Sequence, residues 1–314
     1  MDEESYRDVD GVWMHNLFSD EAVRSAMKYN PRPGDVITVT YPKCGTHWVQ
    51  FIIWNIMTKA NPGPNVGEFS LMCPFLELMG AEAAEKPSRI GPIVTHLPMS
   101  VFQPVKHAKY VYVARNPYDC AVSYYHFLKG STPKTITDVS FERFLSMFLN
   151  GKVIYGDYFD HVIPWYDRRH EDNVLFITYE QLKADSREQV LRIADFLGKE
   201  EYGDKLRQRP DIFDKVLDTV SFDTMREFYS GMNGWSKDFT SIPMEAIPEA
   251  MRPVMQTLGS LFKKPITGDF VRKGIVGDWR NHFSSEQIAR MKKRIALKTT
   301  GSDVMSLWED SDLP

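Results

Sequence analysis

Little in this sequence points to a disulfide-stapled, metal-bound or membrane-spanning protein. Its three cysteines, Cys44, Cys73 and Cys120, are odd in number and far apart, which leaves neither a disulfide frame nor a zinc-ligand spacing. The most apolar run, Phe51 to Met57, is too short to cross a bilayer. The opening Met1-Asp2-Glu3-Glu4-Ser5 is acidic and carries no signal-peptide core. A formal net charge of −4 gives no footprint for nucleic acid or an anionic membrane, so any basic site must be local. No G-x-x-x-x-G-K-[ST] loop is present either. The expectation is a cytoplasmic protein with no nucleic-acid or membrane partner.

The sequence does contain one organising stretch, Val36-Ile37-Thr38-Val39-Thr40-Tyr41-Pro42-Lys43-Cys44-Gly45-Thr46-His47-Trp48. Its first half is β-branched and reads as a buried strand, and the apolar run from Trp48 to Met57 reads as a packed helix. A tight strand-to-helix turn aims unsatisfied backbone N–H groups and the positive end of the helix dipole at one point. Lys43 adds a full charge there. The combination is an anion seat, although a lysine and a glycine alone also fit an ordinary connection with a solvated lysine. No hydroxyl residue follows Lys43 to hold magnesium, so the anion is expected to differ from a triphosphate.

Three further strands are predicted at 91–96, 109–115 and 174–179. The third of the four runs into Asn116-Pro117-Tyr118-Asp119, a helix start with cap, proline and acid in order. One amphipathic helix is predicted from about Gln181 to Leu197. Strands alternating with helices imply an α/β fold in one domain, with a mainly parallel sheet and helices on its faces. Residues 1–35, polar with scattered aromatics, read as an arm lying on the core. Pro133–Thr135 and the 230–270 region read as long loops of the kind that form lids.

In an open parallel sheet, ligands bind beyond the carboxyl ends of the strands. Lys43, His96 and Arg115 each close a strand there. A histidine on that rim is a candidate general base, with a structural histidine the equal alternative. His107, His126 and His161 read as packing or surface residues. Arg272-Lys273-Gly274 offers two cations and a backbone that can approach an oxyanion, with a solvated charge pair the alternative. Two arginines and a lysine converging would repel unless a dianion sat between them.

Together these segments resemble the cytosolic sulfotransferases. The run Thr40–Trp48 is similar to that family's loop for the 5′-phosphosulfate, and Arg272-Lys273-Gly274-Ile275-Val276-Gly277-Asp278-Trp279-Arg280-Asn281-His282-Phe283 to its C-terminal signature. Thr95-His96-Leu97-Pro98 and Val113–Asp119 fall between them in the expected order. The resemblance implies a P-loop-like donor site for 3′-phosphoadenosine 5′-phosphosulfate (PAPS), with the bisphosphate PAP as product, no metal, and sulfo transfer to a hydroxyl or amine of a small acceptor. By motif match, Lys43, Cys44, Gly45, Thr46 and His47 lie along the 5′-phosphosulfate. Trp48, Tyr179 and Phe222 surround adenine, and Arg115, Ser123, Arg272, Lys273 and Gly274 clamp the 3′-phosphate. His96 and Lys43 are the implied catalytic pair, and Phe75, Phe127 and Tyr155 the implied acceptor pocket. The implied organisation is an arm over 1–35, a sulfotransferase domain over 36–296 and a tail over 297–314.

Several positions depart from the family pattern. Val94 stands where many members have a lysine, His47 replaces a hydroxyl residue, and Val220 takes a place often held by threonine. The family's dimer motif gives way to Arg280-Asn281-His282-Phe283-Ser284-Ser285-Glu286, so a monomer or weak homodimer is expected. Two other readings share the sheet and the anion loop: a P-loop phosphotransferase, which needs a metal-holding hydroxyl, and a nucleotide-binding protein without turnover.

Overall fold

The computed structural model describes residues 5–60, 65–87, 89–131, 139–230, 245, 252 and 271–314. The N-terminal segment begins with a hairpin, β1 (Tyr6–Val9) pairing antiparallel with β2 (Val12–His15) across Asp10-Gly11. Both turn residues have positive φ, 50° and 93°, the backbone that a two-residue hairpin turn needs and that Asp-Gly supplies. The hairpin is an addition to the expectation for this segment, and its Asp-Gly signal was there to be read. A helix, α1 (Asp20–Met27), follows under the cap of Ser19.

The sheet is built from β3 (Val36–Thr40), β4 (Ile93–Thr95), β5 (Lys109–Ala114) and β6 (Val174–Thr178). It runs in the order β4-β3-β5-β6 with every pairing parallel, as the alternation of strands and helices predicts. All five residues of β3 are buried, because a parallel sheet is covered on both faces. Alternate residues of β5 divide between two cores. Tyr110, Tyr112 and Ala114 pack with the hairpin and the helix Tyr158–Asp167. Val111 and Val113 pack with α2 (Thr46–Thr58) and the helix Ser186–Gly198.

The helix expected over 181–197 is two helices, Tyr179–Ala184 and Ser186–Gly198, broken at Asp185. The Asp185 carboxylate accepts the Glu188 amide at 2.9 Å, so a residue inside the apolar period acts as a cap for the second helix. Lys109 closes the far end of that helix by donating to the carbonyls of Phe196 and Leu197 at 3.0 and 2.6 Å.

After the signature loop, the helix Ser285–Lys298 starts at a capping box between Ser284 and Gln287. A final short helix, Val304–Ser311, buries Trp308. The candidate lid loops at 133–135 and 231–270 lie outside the described residues, apart from Glu245 and Arg252. Among the described residues, no helix is long and apolar enough to cross a membrane.

Candidate active site

The anion loop leaves β3 through two left-handed residues, Lys43 at φ 71° and Gly45 at φ 107°. The second position requires glycine twice over, since a Cβ there would also come within 3.0 Å of the Tyr179 ring. Lysine in the left-handed region is strained by about 1–2 kcal/mol, a cost concentrated where the loop turns Lys43 over the Phe127 ring at 4.3 Å. Helix α2 then begins with no side-chain cap and no acid in its first turn. The helix dipole therefore points its positive end at the loop without a side-chain cap or acid to offset it. Burial, followed by the nearby Arg115 charge, lowers the Lys43 ammonium from 10.5 to about 8.

His96 stands just past β4 and is held at three points. Its amide donates to Glu77 Oε1 at 2.5 Å. Its carbonyl accepts from His161 Nε2 at 3.0 Å, while Tyr112 Oη lies 2.8 Å from His161 Nδ1. Its ring Nδ1 lies 2.7 Å from the Thr40 carbonyl, and Thr40 Oγ1 in turn lies 2.6 Å from Thr46 Oγ1. A carbonyl only accepts, so Nδ1 carries the proton and Nε2 is the basic nitrogen. Burial lowers the His96 imidazole to about 4, which keeps it neutral and able to accept a proton.

Phe75 and Tyr155 meet the His96 ring edge-on, each with centroids 5.2 Å away. Phe18 meets both, at 6.3 Å from Phe75 and 6.1 Å from Tyr155. Phe18 was absent from the expected pocket: it belongs to the N-terminal segment, whose hairpin is tied to this wall by the Tyr155 amide donating to the Trp13 carbonyl at 2.8 Å. Glu77 was missed as well. It is fully buried, and burial pushes its carboxyl up to about 8. A lone acid within Pro74-Phe75-Leu76-Glu77-Leu78 was the available signal.

On the opposite side of the loop, Trp48 and Tyr179 stand 5.5 Å apart edge to face. The Trp48 indole donates to the Val220 carbonyl at 2.9 Å, so Val220 contributes its backbone there. Phe222 packs on Gly274, where a Cβ would come within 2.4 Å of its ring. Gly274, expected to admit an oxyanion to its backbone, thus also makes room for an aromatic ring. His47 points to Tyr229, ring to ring at 5.3 Å, and burial lowers it to about 3.

Arg115 lies over Tyr179 at 4.3 Å and donates to the Ile275 carbonyl at 3.0 Å and the Lys43 carbonyl at 3.4 Å. It joins the loop after β3 to the C-terminal signature. Its Nε is buried with no partner among the described residues. Ser123 is half-buried one turn before His126, whose ring meets His282 of the signature at 4.8 Å.

The expectation that Arg115, Arg272 and Lys273 would repel without a dianion between them is corrected for Arg272 and Lys273 by Asp278. Its buried carboxylate lies 2.6 Å from Arg272 Nη2 and 2.8 Å from Lys273 Nζ. Burial opposes ionisation of Asp278, yet the bonds from Lys273 and Arg272 hold its carboxyl well below the usual range. Asp119 grips the same loop from below, accepting the Gly277 amide at 2.7 Å and the Trp279 amide at 3.0 Å. Cys44 and Cys120, distant in sequence, bring their thiols to within 3.8 Å of each other.

A family model, the sulfotransferase domain, matches residues 33–303. The chain belongs to the sulfotransferase family. Sulfotransferase 1B1 of Mus musculus is 30% identical over 288 residues, spanning 88% of this chain and 86% of that protein. The 3-alpha-hydroxysteroid sulfotransferase of Cavia porcellus is 33% identical over 308 residues, spanning 93% and 94%. Among solved structures, mouse sulfotransferase SULT7A1 complexed with PAP superposes with a TM-score of 0.66 at 27% identity, over 97% of this chain and 98% of that one. This sulfotransferase is thus a PAPS-dependent enzyme of the class expected from its sequence.

Proposed function

We propose that this sulfotransferase moves the sulfo group of PAPS onto the hydroxyl of an aromatic or alicyclic acceptor, with His96 as the base. The observation that carries the reading is the His96–Thr40 bond, which leaves Nε2 as the basic nitrogen of a ring that Phe75 and Tyr155 meet edge-on, with Phe18 packed against both. Three aromatic walls favour a flat or ring-shaped apolar acceptor.

The donor site is assigned by fit. An uncapped α2, the Lys43 ammonium and the unpartnered Arg115 Nε make a donor set for two separated phosphate groups. Trp48, Tyr179 and Phe222 would hold the adenine, and Arg115, Ser123, Arg272, Lys273 and the Gly274 backbone the 3′-phosphate. When bound, the donor supplies a sulfo group on a phosphate leaving group. Lys43 and the first-turn N–H groups, with Thr46 beside them, stabilise the charge that grows on that phosphate. His96 Nε2 takes the proton of the acceptor hydroxyl and aims its oxygen in line. Hydroxysteroid transferases among the relatives support a ring-borne hydroxyl as acceptor. With the dimer motif replaced, the protein is expected to act as a monomer or weak homodimer.

The test is labelled sulfo transfer from PAPS to a panel of phenols, monoamines and steroids, run with wild type and His96→Ala. The variant should lose on the order of 10²-fold or more in kcat while binding PAP almost as before. Near-wild-type kcat in His96→Ala would overturn the base assignment.

A further inference from the structure

The C-terminal segment reaches the signature loop by two routes, directly through Asp312 and indirectly through Trp308. Trp308, 2% exposed, donates its indole N–H to Glu180 Oε2 at 2.8 Å. Glu180 Oε1 accepts the backbone amide of Asn116 at 3.0 Å and its side-chain amide at 2.8 Å. The Asn116 side chain also donates to Asp119 at 2.9 Å and accepts the Asp119 amide at 2.8 Å. Asp119 is the residue that holds the amides of Gly277 and Trp279 on either side of Asp278. Farther along the tail, Asp312 receives Arg280 Nη2 at 2.7 Å through its carboxylate and also through its carbonyl.

A continuous line of hydrogen bonds therefore runs from Trp308 through Glu180, Asn116 and Asp119 to the loop that carries Arg272 and Lys273. Every link is polar and directional, and its charged members strengthen it. Glu180 also follows Tyr179 directly and Asn116 follows Arg115, so both intermediate residues neighbour groups assigned to the nucleotide. Packing alone would be served by any large apolar side chain at 308. The indole N–H adds a bond to one of the two carboxylates in the line. Without it, one lone pair of Glu180 loses its partner in a half-buried place, and the carboxylate is freer to turn away from Asn116.

We infer that Trp308 is a positioning residue for the 3′-phosphate site: the tail sets the pitch of the signature loop through Glu180, Asn116 and Asp119. The inference rests on the assignment of Arg272 and Lys273 to the 3′-phosphate. It separates two jobs of the tail, burying apolar surface and orienting an anion site 35 and 36 residues earlier in the chain. Only the second depends on the nucleotide.

The experiment compares PAP with AMP by titration calorimetry in full-length wild type and Trp308→Phe, with Tm followed in both. The ring of phenylalanine keeps most of the packing and removes the N–H. The PAP-over-AMP preference should shrink about three- to tenfold in Trp308→Phe, with AMP affinity and the KM of the acceptor unchanged. A general loosening would weaken both nucleotides alike and leave the ratio intact. Glu180→Gln, which breaks the same line with one atom changed, is read in the same way should Trp308→Phe not fold. An unchanged ratio in either folded variant overturns the role of the tail. A wild type that binds AMP as tightly as PAP overturns instead the 3′-phosphate assignment on which it rests.

Discussion

His96 Nδ1 donates to the carbonyl oxygen of Thr40 at 2.7 Å, and this bond couples the end of β4 to the last residue of β3. Two residues 56 positions apart thereby fix which nitrogen of the histidine is basic. Thr40 also touches Thr46 through its hydroxyl at 2.6 Å, so His96, the strand and the first residue of α2, which the proposed mechanism uses together, form one rigid corner. Rigidity of this kind is what an in-line transfer asks of its base, since small misplacements cost large factors in rate.

Lys43 gives the first prediction. Its ammonium is lowered to about 8 in the protein without nucleotide, and the proposed role needs it charged. The kcat/KM for the donor, which reports the free enzyme, should fall as pH rises above about 8. Lys43→Arg should lower kcat/KM and carry that limb to higher pH, because a guanidinium stays charged. An unmoved limb in the variant would assign it to another group.

Glu77 ties stability to pH. Its carboxyl is raised from 4.5 to about 8, so between these values the folded protein binds more protons than the unfolded chain. Stability from this group is therefore full below 4.5 and declines as pH rises towards 8. His96 works oppositely: lowered from 6.5 to about 4, it contributes fully above 6.5 and loses that share as pH falls through 4. Denaturant unfolding of wild type and Glu77→Gln across the window should show the variant losing the Glu77 decline. Identical slopes would mean that Glu77 titrates alike in both states.

The Arg272–Asp278 pair bears on nucleotide choice. Arg272→Ala should reduce the preference for PAP over AMP by about ten- to a hundredfold, the worth of one charge-assisted bond to phosphate. Asp278→Asn is expected to cost stability, since it leaves Arg272 and Lys273 without their buried counter-charge. Calorimetry for the first and thermal unfolding for the second check the two separately.

Phe18 meets Phe75 and Tyr155 of the proposed acceptor wall. Phe18→Ala should raise the KM of an aromatic acceptor severalfold and leave the KM of PAPS unchanged, because the ring meets Phe75 and Tyr155. Equal shifts in both constants would show a structural effect instead.

Much of this protein was settled by local sequence. Period and β-branching marked all four sheet strands, and Asn116-Pro117-Tyr118-Asp119 announced its helix, because caps and strand patterns act within a few residues. Lys43, Gly45 and Arg272-Lys273-Gly274 stood out for the same reason: each motif carries its chemistry in adjacent residues. The tertiary structure decided what depends on contacts between distant segments. Asp278 proved to be the counter-charge of its own loop, Phe18 reached Phe75 from the N-terminal segment, and Glu77 came to hold the His96 amide. No period or spacing reports such meetings, since burial and partner are properties of the folded whole. Asp185 shows the converse, a polar residue inside an apolar period whose side chain captured a backbone amide and split one helix into two.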